Sequence, residues 1–414
     1  MRDITAPESL RWRRFVDVFE RTVGAAGYDL VIPPLLEDIG VFTRLGEATD
    51  VVTKEMYDFI DKGERHVALR PEQTASICRS FVEHRPTTPF KAWYSGPNFR
   101  YEKPQRGRYR QFDQVGVEVL GSVDPYVDAE VIHLGWVFFT TLGLQQIELA
   151  VNSLGEPEDR SAYVTALHEY FSTRRSELSP ESQQTLERNP LRVLDSKREQ
   201  DQRVIAEAPL INSFWSDSAA AHFDTVCAGL TEIGVPFSVD LKLVRGLDYY
   251  RGTTFEFRGK TLDSAQNALG GGGRYDGLVA NLGGPDTPGV GFAIGVDRTL
   301  LACDDESVFP APSNVADVFV VDVGDGNDAL VICADLRSVG IRAERSWDNR
   351  SMKSQMKSAN RSGARFAVIV GDEERQSGTA LLRDLRSDAE QISVSRSELQ
   401  ATLVTRLSSL QGAE

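Results

Sequence analysis

Cysteine and histidine are scarce in this chain of 414 residues, which holds four of the first and five of the second. Cys78, Cys227, Cys303 and Cys333 lie far apart and form no CxxC, and no HxxxH or HExxH occurs. Neither a disulfide framework nor a zinc centre is therefore expected. A reducing cytoplasm is the compartment this usage suggests. No apolar run approaches the roughly 18 residues that a membrane span requires. Met1-Arg2-Asp3-Ile4-Thr5 lacks the apolar core of a signal peptide, and the absence of GxxxxGK[ST] excludes a P-loop. Positive charge is in deficit too, with 46 Lys and Arg against 61 Asp and Glu, a net −15. That balance argues against general nucleic-acid affinity, because phosphate contacts need cations. Local reversals of sign are therefore informative.

The length exceeds what one ordinary core holds, so two or three domains are expected. Trp12, Phe15, Val16, Phe19 and Val23 recur at helical spacing up to Gly27. Tyr28–Ile32 then reads as a strand running into Pro33-Pro34, which suits a sheet edge or an interface. Val67–Leu69, Lys91–Tyr94 and Gln111–Leu120 read as strands of an antiparallel sheet. From about 155 to 235 charged helical segments replace strands, which reads as a helical insertion. Strands and glycines return from Phe237 to Arg298, and Cys303–Asn314, with Pro310 and Pro312, reads as a linker. Beyond it, strand Asp317–Val323, helix Asn327–Val339, strand Ile341–Arg345, helix Ser351–Ser362 and strand Phe366–Val370 predict a small α/β domain with a largely parallel sheet. The expected division is 1–310 and 315–414.

Chemistry concentrates in a few segments. Arg245-Gly246-Leu247-Asp248-Tyr249-Tyr250 combines a planar cationic fork with apolar walls that end in hydroxyls. Gly270-Gly271-Gly272-Gly273-Arg274-Tyr275-Asp276-Gly277 allows close backbone approach, although four glycines alone read better as a flexible turn. Between Lys91 and Arg110 the acidic chain turns basic: Lys91, Arg100, Lys103, Arg106, Arg108 and Arg110 face only Glu102. Arg100 and Glu102 share a strand face, an arginine for phosphate beside a carboxylate for an exocyclic amine. In the next strand Val115, Val117 and Val119 form a core face, while Gln114, Gly116 and Glu118 leave a hollow with hydrogen-bonding walls. A solvent-facing polar strand is the plainer alternative. Leu69-Arg70-Pro71-Glu72-Gln73-Thr74 offers groups for an ammonium, or a helix cap. Arg298, unexpected near a helix start, fits a phosphate partner.

Taken in order, these segments resemble class II aminoacyl-tRNA synthetases, and within them the histidyl-tRNA synthetases. Phe99–Glu102 with Gly107–Phe112 resembles the second class motif and Gly291–Arg298 the third. Arg245–Tyr250 and Gly271–Leu278 resemble two blocks peculiar to the histidyl enzymes, and Asn189–Lys197 another segment typical of them. The resemblance spans nearly the whole chain. It implies an α+β catalytic domain, an antiparallel sheet flanked by helices with a helical insertion, followed by an anticodon-binding α/β domain. It implies ATP, Mg2+, L-histidine and tRNA(His) as substrates and partners, a homodimer in the cytoplasm, and no membrane.

By the same resemblance, Arg100 and Arg245 are catalytic and meet the α-phosphate. Glu102 holds the adenine edge, Arg298 the terminal phosphate and adenine face, and Arg108 belongs to the ATP site. Glu72, Thr74 and Gln114 hold the histidine ammonium. Glu118 and Tyr250, beside Tyr249, grip the ring nitrogens, an acceptor opposite a donor. Arg106 in the basic loop faces the acceptor stem, and Arg350, Lys353 and Lys357 the anticodon side. Magnesium ligands are not legible. The chain opens without the short segment that usually precedes Met1-Arg2-Asp3, from which a looser dimer is expected. Gln73 stands where Gly is commoner and Asp113 where His is. The alternative is a synthetase-like regulatory subunit of histidine biosynthesis, a class that lacks the C-terminal domain.

Overall fold

The computed structural model describes residues 1–44, 54–103, 105–247, 249–262, 267–312, 316–347 and 350–411. Pro104, Asp248, Asn314, Val315 and Asp348 lie outside these. The chain divides into two compact units, Met1–Pro310 and Ala311–Glu414.

The first unit is built on an eight-stranded sheet. Its strands are β1 (Asp29–Leu30), β5 (Phe90–Phe99), β6 (Gln111–Leu120), β7 (Ile147–Ser153), β8 (Ser238–Val239), β9 (Thr253–Gly259), β10 (Ala268–Arg274) and β11 (Gly289–Gly295). They are ordered β1-β5-β6-β11-β10-β9-β7-β8. The six inner strands are antiparallel, and two-residue strands add parallel pairings at the edges. The Pro33-Pro34 segment thus follows an edge strand, where the missing N–H groups break no ladder. A second, three-stranded sheet joins β2 (Leu36–Asp38), β3 (Tyr57–Ile60) and β4 (His66–Leu69) in the order β2-β4-β3.

One face of the large sheet is apolar. Val115, Val117 and Val119 from β6, Phe255 and Phe257 from β9, and Val290, Phe292 and Ile294 from β11 are fully buried there. Helices Glu8–Gly24, Pro125–Thr141 and Asp217–Glu232 cover them. Phe138 takes Phe15 and Phe19 edge-on at centroid separations of 4.9 and 5.0 Å, the geometry the ring quadrupoles favour. The last of these helices falls inside the segment read as insertion, yet Phe223, Val226 and Leu230 pack into this core. The helices between Pro157 and Ala206 build a separate cluster on the other side, which also takes in Tyr249 and Tyr250.

Two expectations need correction. The four-glycine run is not a turn but lies within β10, paired on both sides. The linker also begins later, because helix Val296–Asp305 carries Cys303 into the core. In the second unit β13 (Ala343–Arg345), β12 (Val318–Asp322) and β14 (Phe366–Val370) run parallel, but β15 (Thr379–Asp384) and β16 (Ile392–Ser395) extend the sheet antiparallel. The sheet is mixed because the chain returns after β14 through the six-residue helix Asp372–Ser377, too short for a parallel crossover. Among the described residues no helix is long and apolar enough to cross a membrane.

Candidate active site

The polar face of the large sheet carries a row of directly opposed residues: Tyr94, Gly116, Ala293, Gly271 and Glu256. Its middle has almost no side chains, and larger groups lie down on it. A Cβ at Gly116 would sit 2.4 Å from the Tyr94 ring. The hollow expected over Gly116 is therefore filled by Tyr94. A Cβ at Gly271 would meet the Arg245 guanidinium carbon at 3.0 Å. Glycine at these two points is a matter of close approach rather than of backbone freedom.

Above the row lies a cavity of about 230 Å3. Glu72, Thr74, Arg100, Glu102, Arg108, Gln114, Arg245, Tyr249, Tyr250 and Arg298 all line it, although they come from segments up to 226 positions apart, from Glu72 to Arg298. Arg106 lies outside the lining, 73% exposed, with its guanidinium 3.4 Å from Asp305. Lys353 and Lys357 belong to the other unit. They lie exposed on helix Met352–Arg361, opposite the buried Gln355 and Ala359, and Arg350 is exposed just before it.

The cationic end of the cavity holds Arg100, Arg108, Arg298 and Arg245. Arg245 Nη1 donates to Glu256 Oε2 at 2.5 Å, and Arg258 holds the other Glu256 oxygen at 2.9 Å. The Arg245 Nε is buried without a hydrogen-bond partner. Arg100 Nε donates to the Pro71 carbonyl at 2.9 Å, and its guanidinium lies 5.2 Å from the Phe112 ring centre. Glu102 pairs with Arg108. Burial, and after it the neighbouring charge of Arg108, hold the Arg298 guanidinium below its ordinary range. Clustered like charges with an orphaned donor are an environment that an anion relieves.

The other end is acceptor-rich. Glu72 accepts from the Thr74 and Ala75 amides at 2.7 and 2.9 Å, capping helix Thr74–His84 while facing the cavity. The helix-cap reading of Glu72 is thus observed, on a residue that also lines the cavity. Glu118 accepts from three hydroxyls, those of Thr74 at 2.6 Å, Tyr275 at 2.5 Å and Tyr94 at 3.2 Å. Glu118 itself is 0% exposed and does not line the cavity. Three hydroxyls cover it, and burial pushes its carboxyl up to about 8. Gln114 Oε1 accepts from Asn98 Nδ2 at 2.8 Å, which leaves its amide NH2 uncommitted. Burial lifts the Tyr250 phenol to about 12, so it stays a donor.

Glu256 and Arg2 escape a motif-based reading. Glu256 is legible in hindsight, because Thr254, Glu256 and Arg258 form the polar face of a strand whose other face is Phe255 and Phe257. Asp113 and Asp297 both line the cavity. Burial, with Asp297 nearby, pushes Asp113 up to about 6 against the opposing pull of Arg70. Arg2 is 295 positions from Asp297, yet it donates to it at 2.9 Å, to Glu8 at 2.7 Å, and lies 5.2 Å from the Tyr109 ring centre. It thereby ties the loop before β6 to helix Val296–Asp305. No local signal announces such a contact.

Residues 1–299 match the family described as histidyl-tRNA synthetase, and residues 317–406 match the anticodon binding domain. A histidine–tRNA ligase of Geobacillus thermodenitrificans is 43% identical over 412 residues, covering 98% of this chain and 96% of the relative. One from Corynebacterium jeikeium is 46% identical over 389 residues, covering 92% and 87%. The crystal structure of apo S. aureus histidyl-tRNA synthetase superposes with a TM-score of 0.80 at 34% identity, covering 97% of this chain and 98% of that one.

Glu118 generates a stability prediction. The folded state keeps its proton to about pH 8, whereas the unfolded chain releases it near 4.5. Its contribution is therefore complete below about pH 4.5 and is lost as the pH climbs through 8. Glu118→Gln cannot titrate. The melting temperature of the natural chain should fall relative to this variant between about pH 5 and 8, as that linkage requires. A gap independent of pH would show that the carboxyl is ionised in the fold.

Proposed function

The chain belongs to the histidyl-tRNA synthetase family, and from that premise we infer how its cavity performs the family's reaction. The enzyme is a histidine–tRNA ligase, an ATP-dependent aminoacyl-tRNA ligase of class II. The regulatory-subunit alternative is not favoured, since the similarity to histidine–tRNA ligases runs through both units. In the first step an oxygen of the histidine carboxylate attacks the α-phosphorus of ATP, and pyrophosphate leaves. In the second, the terminal adenosine of tRNA(His) attacks the histidyl carbonyl and AMP leaves.

No covalent enzyme nucleophile is needed. Positioning and charge neutralisation supply the acceleration. Arg100 and Arg245 take the α-phosphate, with Arg245 steered by Glu256. Arg298 takes the terminal phosphate and the adenine face, Glu102 the adenine edge, and Arg108 steadies Glu102. Glu72 and Thr74 accept from the ammonium, because Thr74 spends its own proton on Glu118 and presents lone pairs. Gln114 adds the second lone pair of its amide oxygen at the same end. Tyr249 and Tyr250 wall the imidazole, Tyr250 donating to one nitrogen. Glu118 acts from beneath by turning the Tyr94 and Thr74 oxygens toward the ligand. Magnesium bound with ATP would supply charge neutralisation at the phosphates. Among the described residues no cluster of three or more His, Cys, Asp or Glu forms a metal site.

The supporting observation is the Arg245 guanidinium, laid on Gly271 with its Nε unpartnered. Its charge matters most where negative charge grows during attack. Arg245→Ala should slow histidyl-adenylate formation by about a hundredfold or more, the scale for losing one preorganised donor. Histidine affinity should hold, and Arg245→Lys should recover only part of the rate. Pre-steady-state adenylation beside equilibrium histidine binding decides it. Lost affinity with normal adenylation at saturation would make Arg245 a binding residue instead.

The two units, 1–310 with its helical insertion and 315–414, divide the labour: the first makes the adenylate, the second reads the anticodon side. Arg106 meets the acceptor stem, and Arg350, Lys353 and Lys357 the anticodon stem-loop. Removing two phosphate contacts with Lys353→Ala/Lys357→Ala should raise the KM for tRNA and lower the salt slope of binding by about 2, with ATP–pyrophosphate exchange intact. An unchanged slope would place these lysines off the RNA.

A cytoplasmic homodimer is the proposed assembly. Ile32 is 79% exposed, and Leu30, Leu35, Leu36, Phe59 and Ile60 are exposed beside β1 and on the small sheet. Apolar surface of this kind suits an isologous contact. Light scattering should give twice the chain mass, and Ile32→Glu should lower it toward one chain. Full activity from a monomeric natural chain would overturn this.

A further inference from the structure

Gln73 occupies the junction between β4 and helix Thr74–His84, flanked by Glu72 and Thr74. It lines the cavity, yet it is only 1% exposed. Burying an amide is costly unless its polar atoms are satisfied, and this one is satisfied on one arm at most. Nε2 reaches the Gly96 carbonyl at 3.4 Å, and Oε1 is buried with no partner. The two arms of a planar amide diverge, so Oε1 does not share the Gly96 contact.

We propose that the Gln73 Oε1 is a further acceptor for the substrate ammonium, completing a three-oxygen cradle with Glu72 and Thr74. This rests on the reading of the cavity as the histidine site. The chemistry of the neighbours selects the ligand group. Glu72 is a carboxyl whose oxygens face amide donors, and Thr74 donates to Glu118 at 2.6 Å, which leaves its lone pairs outward. Three neighbouring residues of one cavity lining that offer acceptors suit a cation with three N–H bonds, which is what a primary ammonium is. A substrate carboxylate would be repelled there. Gln114 Oε1 already accepts one hydrogen bond, from Asn98, whereas Gln73 Oε1 accepts none.

The test uses the full-length chain and Gln73→Met, which keeps the length of the side chain and removes the amide. Three ligands are compared: histidine, histidinol (ammonium without carboxylate), and imidazolepropionate (carboxylate without ammonium). Inhibition or support of histidine-dependent ATP–pyrophosphate exchange reports binding. Gln73→Met should weaken histidine and histidinol alike by about tenfold or more, the worth of a hydrogen bond to a charged group. Imidazolepropionate should change by less than about twofold, because it never made that bond. The KM for ATP should hold. Equal losses for all three ligands would mean that Gln73 only supports the local fold, and undiminished histidine binding would mean that Oε1 does not meet the ammonium. Either result overturns the proposal. An absence of histidine-dependent exchange in the natural chain would instead sink the reading of the cavity itself.

Discussion

Everything at the site depends on how closely side chains can approach the backbone in the middle of one sheet. Where Gly116, Ala293 and Gly271 stand side by side, the sheet is a nearly bare surface of peptide groups. Tyr94 from one flank and Arg245 from the loop before β9 lie flat against it. A Cβ at Gly116 would collide with the Tyr94 ring at 2.4 Å, and one at Gly271 would press on the Phe255 carbonyl at 2.5 Å and crowd the Arg245 guanidinium at 3.0 Å. The apolar reverse face, with Phe138 wedged against Phe15 and Phe19, keeps that surface from flexing. Packing on one side thus sets the precision available on the other.

Electrostatics then divides the cavity. At one end four arginines are held near each other by few carboxylates, and each carboxylate also aims an arginine, Glu256 directing Arg245 and Glu102 directing Arg108. At the other end the buried Glu118 gathers the Thr74 and Tyr94 hydroxyl hydrogens on one oxygen, with the Tyr275 hydroxyl at the other, and the Thr74 and Tyr94 lone pairs are left for the cavity. An anion-seeking region and a cation-seeking region stand a short distance apart. A zwitterionic amino acid beside a polyphosphate matches that polarity.

Much of this was legible in residue order. The valine face of Val115, Val117 and Val119 is core because alternation admits no other burial. The cationic stretch from Lys91 to Arg110 stands out against an acidic chain, and its Arg100 and Arg108 do reach the cavity. The strands and helices from Asp317 to Val370 follow from periodicity alone. Other features were not legible. The glycine run reads as a turn because local propensity ignores the partners on both sides that hold it extended. The hollow at Gly116 was drawn from one strand, and the neighbouring strand fills it. The return of the chain as β15 and β16 depends on a short connection whose geometry only pairing reveals.

The amino-acid sequence by itself determined which residues carry charge, which faces are apolar, and which chemistry is available: cationic forks, paired tyrosines, acceptors around Thr74. These are local properties, set by side-chain type and by the periods of helix and strand. Tertiary structure alone decided which of them meet. It placed Arg2 on Asp297 across 295 positions, set Glu118 beneath the cavity rather than in it, and left one oxygen of Gln73 without a partner. The reason is physical. Register across a sheet and burial in a core are properties of pairs of distant segments, and no single segment contains the information about its partner.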